Sequence, residues 1–207
     1  MAQRNIKDWV SNKYLDDYEI KKISRQFKQS YPYPYFVLPD FFNTKKISGL
    51  RNSLVKEKFE RLDKDLFSFW CTMDLSSSKY KAINDFYGFL SSAEFTGLMR
   101  NLTGEKLSGR IGMQSNKYKQ GDYLLLHDDV VENRKIAYMV YLSSLNTRDG
   151  GRLRLYDIKN SMIPAKSVKP QFNLFACFKV SSRSLHDVEE VKSNKERLTV
   201  GGWFYGD

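Results

Sequence analysis

From about Gly109 onward the chain is a succession of six short apolar or alternating segments, at 123–126, 136–142, 153–156, 174–180, 185–191 and 197–204, separated by clusters of Asp, Asn, Gly, Ser and Pro. No helical periodicity lies between them. Strands that follow one another without intervening helices cannot make the crossovers a parallel sheet needs, so the pattern predicts an antiparallel sandwich or barrel.

The first half reads as helical. Ile6, Trp9 and Val10 stand at i, i+3 and i+4, and Asn43 or Thr44 can cap a helix carrying Ile47, Leu50 and Leu54 on one face. Ser91 and Glu94 have capping-box spacing ahead of Phe95, Leu98, Met99 and Leu102. Residues 31–35 alternate tyrosine with proline and lead into a predicted strand at Phe36-Val37-Leu38. The expected fold class is therefore α+β, mainly β: a double-stranded β-helix, or jelly roll, buttressed by amino-terminal helices. No Gly/Ser- or Pro-rich linker divides the 207 residues. A single domain is expected over 1–207, with 1–108 a mostly helical support region and 109–207 the jelly-roll core.

No apolar run approaches the roughly 20 residues that cross a bilayer, and the opening MAQRNIKDWV has no apolar stretch of the signal-peptide kind. Cys71 and Cys177 are two isolated cysteines, which excludes a disulfide framework and suits a reducing compartment. The expectation is an intracellular, cytoplasmic protein, nuclear being the variant for a eukaryotic source, with no membrane partner. Lys and Arg number 34 against 24 Asp and Glu, a net charge of +10. That excess suits encounters with polyanions such as RNA or the ribosome. The basic residues are spread along the chain, as a solvated surface would have them.

Only two histidines are present, His127 and His186, each in a predicted strand of the second half. Residues two apart on a strand share a face, so Asp129 and not Asp128 projects with His127. With His186 from a distant strand, two imidazoles and one carboxylate form the ligand set of non-haem Fe(II) oxygenases, which leave positions open for a cosubstrate and dioxygen. Arg197, eleven residues after His186, has the planar donor fork that grips a carboxylate. An iron site beside a carboxylate anchor implies 2-oxoglutarate. Thr199 and Trp203 share the face of Arg197, Trp203 being read as core.

These residues sit in longer stretches, Gly121-Asp-Tyr-Leu-Leu-Leu-His-Asp-Asp129, Gly150-Gly-Arg-Leu-Arg-Leu-Tyr156, Ser184-Leu-His-Asp-Val-Glu-Glu-Val191 and the Gly-Trp-Phe near the end, with Pro34 to Phe41 upstream. Together they resemble the catalytic domain of the ribosomal-protein prolyl hydroxylases of yeast and animals, which are 2-oxoglutarate- and Fe(II)-dependent oxygenases. The resemblance implies that His127, Asp129 and His186 hold iron and form the catalytic centre. It also implies that Arg197 with Tyr141 holds the far carboxylate of 2-oxoglutarate and that Tyr118 lines the cosubstrate pocket. The implied cofactors are Fe(II), 2-oxoglutarate and dioxygen, with ascorbate as a candidate reductant.

The implied partner is a protein carrying a target proline, foremost the decoding-centre protein of the small ribosomal subunit, with elongation factor Tu as the bacterial counterpart. Eukaryotic members carry a second, noncatalytic jelly roll, so only the catalytic half is expected here. Two other readings of the residues stand beside this one: a nucleic-acid demethylase of the same superfamily, and a metal-free β-sandwich binding RNA through aromatics and lysines. Residues 67–80 and 146–150 are candidate substrate-facing loops.

Overall fold

A computed structural model describes residues 5–206; Met1 to Arg4, part of the opening stretch considered above, and Asp207 lie outside the described residues. Among the described residues no helix is long and apolar enough to cross a membrane. Among the described residues four α-helices precede most of the sheet: α1 Asp17–Gln29, α2 Thr44–Leu54, α3 Lys81–Leu90 and α4 Ala93–Thr103. The eleven strands among these residues follow the order β1 Tyr35–Leu38, β2 Glu60–Lys64, β3 Phe67–Cys71, β4 Ile111–Tyr118, β5 Tyr123–His127, β6 Arg134–Tyr141, β7 Leu153–Leu155, β8 Lys166–Val168, β9 Phe175–Lys179, β10 His186–Val188 and β11 Arg197–Tyr205. Every pairing among them is antiparallel.

The strand order β1-β9-β6-β11-β4-β3-β5-β10-β7-β8 folds into two faces. A major sheet, β1-β9-β6-β11-β4, carries the helices on its back, and a minor sheet, β5-β10-β7-β8, closes the front. β3 bridges the seam between them. Its first residues pair with β5 (Phe67 with Leu124) and its last with β4 (Cys71 with Asn116), while β2 lies along its other edge. This is the double-stranded β-helix expected from the segment pattern.

Helix ends follow local chemistry. Asn43 caps α2 by accepting the Lys46 N–H, and Asp16 caps α1 by accepting that of Glu19. At α4 the cap is Ser92, which accepts the Phe95 N–H, and not Ser91, which closes α3. Glu94 does not reach back as a capping box would; it accepts the N–H of Ile6 at 2.9 Å and so ties the amino-terminal turn to α4. The triplet Ile6, Trp9, Val10 forms only a 3-10 turn at Ile6–Asp8, because Val10 is drawn into a bridge with Phe42.

All six expected strands are present as β5, β6, β7, β9, β10 and β11, but the boundary at residue 108 does not follow the sheet, since β1, β2 and β3 come from the first half. The reading of 67–80 as a loop is corrected by β3 over Phe67–Cys71 and a 3-10 turn at Leu75–Ser77. β2 escapes a sequence reading because every residue of Glu-Arg-Leu-Asp-Lys is exposed. β4 escapes it because its buried positions include Ser115 among polar neighbours.

Two apolar layers fill the molecule. Between helices and major sheet, Phe41, Phe42, Phe86, Phe89, Phe95, Phe175 and Phe204 are essentially inaccessible, with ring centroids as close as 4.7 Å. Each such side chain contributes about 1.5–3 kcal/mol by leaving water. Between the sheets lie Leu153, Leu155, Val168, Leu174, Ala176 and Phe178. β6 and β9 face both layers, so they read as continuous apolar runs and not as alternations.

Candidate metal centre

At one end of the layer between the sheets the apolar packing stops. β10 pairs with β5 so that His186 stands directly opposite His127, their ring centroids 4.2 Å apart. Asp129, two residues past the end of strand β5 at His127, turns back toward both. Its carboxylate lies 3.9 Å from His127 Nε2 and 3.5 Å from His186 Nε2. One ligand atom from each of the three falls within 4.8 Å of the others, a separation that one metal ion can span.

The imidazoles are preset for this. Nδ1 of His127 is 2.8 Å from the Leu125 carbonyl, and Nδ1 of His186 is 2.8 Å from that of Ser184. A carbonyl only accepts, so Nδ1 carries a proton in both rings and Nε2 is the nitrogen turned toward Asp129. Burial drives the His186 pKa down to about 4, against the upward pull of Asp129 and with some help from His127. That ring is therefore neutral and ready to coordinate near neutral pH.

The register of β10 is fixed from outside by charge. Arg154, opposite Asp187 on β7, makes two bonds to its carboxylate at 2.8 and 2.5 Å, and Arg152 makes two to Glu189 at 2.6 and 2.8 Å. The Tyr156 hydroxyl donates a third bond to Asp187 at 2.8 Å. These residues escape the sequence reading, although the period-two match of Arg152-x-Arg154 with Asp187-x-Glu189 is a signal for them. Gly150, at φ +73°, lets the chain pass against β10, for a Cβ there would fall onto the Glu190 carbonyl.

Beside the triad opens a cavity of about 370 Å³, within the range of small-molecule sites. Arg197 projects into it from β11 and is 2% exposed. The β4-β11-β6 register sets Tyr118 directly opposite Arg197 and Tyr141 opposite Thr199. The guanidinium carbon thus sits 5.0 Å from one tyrosine ring and 5.1 Å from the other. Nε of Arg197 donates to the Gly151 carbonyl at 2.9 Å. Among the described residues no carboxylate pairs with it, and the nearby acids Asp187 and Glu189 are held by Arg154 and Arg152. A buried guanidinium with terminal donors facing a cavity and no acid of its own fits the carboxylate of a ligand.

Tyr118 forms part of the cavity wall, while Tyr141 stands just behind it beside Arg197. Burial raises both phenol pKa values, against the pull of Arg197, so both remain donors. Four buried polar atoms around the cavity lack a hydrogen-bond partner: Tyr141 Oη, Asn116 Oδ1, Arg134 Nε and Trp203 Nε1. Buried polar atoms are rarely left so, and a polar ligand would satisfy them.

Trp203 is not core. It lines the cavity on the face shared with Thr199 and Arg197, and Arg134 lies over it with the guanidinium carbon 3.4 Å from the ring centroid. Of the two expected substrate-facing loops, 67–71 is strand, and 146–150 is a tight turn whose Asp149 is buried and bonded to Lys195.

Comparison with known proteins agrees with this geometry. Residues 113–205 match the 2OG-Fe(II) oxygenase superfamily. The chain is 35% identical over 181 residues to prolyl 3-hydroxylase OGFOD1 of Mus musculus, covering 84% of this chain and 33% of that one. It is 29% identical over 212 residues to prolyl 3-hydroxylase sudestada1 of Drosophila melanogaster, covering 96% and 39%. The chain thus spans between 33% and 39% of the length of these two curated relatives. Among solved structures, a prolyl-4-hydroxylase of Pseudomonas putida superposes with a TM-score of 0.75 at 15% identity, covering 91% of this chain and 99% of that one. A Trichoplax adhaerens prolyl hydroxylase, solved with a hypoxia-inducible-factor peptide, gives 0.70 at 15%, covering 92% and 93%. At these identities the structural likeness is one of fold. With two imidazoles, a carboxylate and a cavity-facing arginine on that fold, residues 113–205 form a domain of the 2OG-Fe(II) oxygenase superfamily, and the chain is similar along most of its length to a part of each of these prolyl 3-hydroxylase relatives.

Proposed function

We propose that the protein is a 2-oxoglutarate- and Fe(II)-dependent prolyl hydroxylase acting in the cytoplasm or nucleus on a protein of the translation machinery. The decoding-centre protein of the small ribosomal subunit is the first candidate substrate. The observation that carries the enzymatic reading is the convergence of His127, Asp129 and His186 beside a buried arginine that has no acid of its own. The translational substrate rests on the motif resemblance. Hydroxylation at C3 is favoured because the mouse and fruit-fly relatives are prolyl 3-hydroxylases.

In this reading Nε2 of His127, Nε2 of His186 and a carboxylate oxygen of Asp129 hold Fe(II). With 2-oxoglutarate and dioxygen the iron supplies the oxidation that inserts one oxygen atom into a C–H bond, with succinate and carbon dioxide as coproducts. Arg197 binds the far carboxylate of 2-oxoglutarate through its terminal donors, one of which lies 4.0 Å from the thioether of Met139, and the Tyr141 hydroxyl beside it donates to the same group. Tyr118 packs along the cosubstrate. The Trp203 indole, pinned under Arg134, offers a flat wall for a pyrrolidine ring and helps exclude water. Asp129 fills the carboxylate position, which favours hydroxylation over halide transfer.

The test is succinate release by the iron-loaded protein with proline peptides from the ribosomal decoding protein and from elongation factor Tu. Coupled turnover with a mass gain of one oxygen atom on the ribosomal peptide is expected. Coupled turnover on the elongation-factor peptide alone would redirect the substrate, and failure to bind Fe(II) and 2-oxoglutarate would remove the enzymatic reading.

A further inference from the structure

The alternating Tyr-Pro segment at 31–35 lies outside the stretch that matches the oxygenase superfamily, yet it reaches the metal end of the barrel. It runs from the end of α1 into β1 at the edge of the major sheet. From there two of its tyrosines cross to the minor sheet. Tyr31 donates its hydroxyl to Asp157, just after β7, at 2.8 Å. Tyr33, 5% exposed, donates its hydroxyl to the carbonyl of Leu185 at 3.0 Å. Leu185 immediately precedes His186.

We infer that Tyr33 is a positioning residue for the metal centre: through the Leu185 carbonyl and the ring of Phe178 it fixes where His186 presents Nε2. Two contacts arrive by different routes. The Tyr33 ring meets Phe178 edge-on at 6.0 Å, and Phe178 in turn lies 4.5 Å from the imidazole of His186. The hydroxyl acts on the backbone, at the peptide that joins Leu185 to His186. That carbonyl already accepts the N–H of Tyr156 at 2.9 Å. The second bond is therefore not needed to satisfy it, and instead ties the start of β10 to the far sheet.

The neighbouring geometry shows why such a tie matters. β10 is three residues long, and its pairing with β5 carries a register irregularity between His186 and Val188. Arg154 and Arg152 hold the strand beyond His186, at Asp187 and Glu189. On the side before it, the turn 181–184 is held mainly by its own serines: the Ser184 hydroxyl donates to the Ser181 carbonyl at 2.6 Å and accepts the Ser181 N–H at 3.0 Å. Ser184 also supplies the carbonyl that orients His186 Nδ1. Tyr33 adds a side-chain bond from the opposite sheet at the far end of this turn, next to His186, and outer groups that orient metal-ligating histidines typically change metal affinity about 10- to 100-fold.

The inference rests on His186 being a metal ligand, and its test is read without catalysis. Co(II) titration of the full chain, followed by the absorption of the bound ion, reports both affinity and coordination geometry. Y33F keeps the ring and removes one hydroxyl. It is expected to weaken Co(II) binding about 10-fold and to alter the bands of the bound ion, with its melting temperature within about 4 °C of wild type. Y35F, on the same segment, is expected to match wild type in both respects. Unchanged affinity and bands in Y33F would overturn the inference even if its melting temperature fell, and so would equal losses in Y33F and Y35F. A wild-type chain that binds no Co(II) would overturn the metal-centre reading itself, and with it the role of Tyr33.

Discussion

The layer between the helices and the major sheet is closed and apolar, with a cluster of phenylalanines at its centre, whereas the layer between the two sheets gives way at one end to imidazoles, a carboxylate and a guanidinium that meets no acid among the described residues. In the first, Phe41, Phe42, Phe95 and Phe175 pack ring against ring. In the second, Arg197 and the polar atoms of Asn116, Tyr141 and Trp203 are withdrawn from water with incomplete partners. Burying polar atoms without partners costs stability. The helix-backed layer supplies what offsets that cost, so the two layers divide folding and chemistry between them.

Substitutions should separate the layers. The largest effect belongs to the triad: H186A or D129A is expected to abolish measurable turnover and weaken metal binding by more than about 100-fold, while the melting temperature holds or rises. Metal titration and calorimetry on the same samples check this, and a folded H186A that still turns over would break the division. Next, R197A should raise the KM for 2-oxoglutarate about 10- to 100-fold, the worth of a charged hydrogen bond, with Fe(II) affinity near wild type. R197K should recover only part of that loss, because an ammonium lacks the fork.

In the other layer, F95A should cost about 3–5 kcal/mol of stability, measured by urea unfolding, with kcat of the folded fraction unchanged. A fall in kcat without loss of stability would show that the layers are coupled. The smallest effect is electrostatic. The bond from Arg152 holds the Glu189 pKa below its ordinary 4.5. The pair therefore stabilises the fold fully above that value, and the contribution is lost as the pH falls through the depressed one. E189Q should lie below wild type in melting temperature at neutral pH and converge with it in acid; parallel curves would discount the pair.

Much of this arrangement is legible in the order of the residues. The His-x-Asp spacing singles out Asp129 over Asp128, and Arg197 follows from its place after His186. The six segments of the second half point to the jelly roll. The features that are not legible are hidden for physical reasons. β2 has no buried face, so it carries no hydrophobic period. Trp203 reads as core because an indole is apolar in any sequence, and only the cavity beneath Arg134 shows which side it serves. Ser91 and Ser92 are chemically equal caps, and the choice falls to the one that follows the end of α3.

The sequence by itself determined the six strands of the second half, two of the helices and the reactive groups, because alternation, capping and ligand spacing are written within a few neighbouring residues. The tertiary structure alone decided that His186 faces His127, that Arg197 is set between Tyr118 and Tyr141, and that Tyr33 reaches Leu185 across 152 residues. Those relations depend on strand register and on how two sheets close over each other. Register and closure are set by the packing of the whole core, which no local pattern encodes.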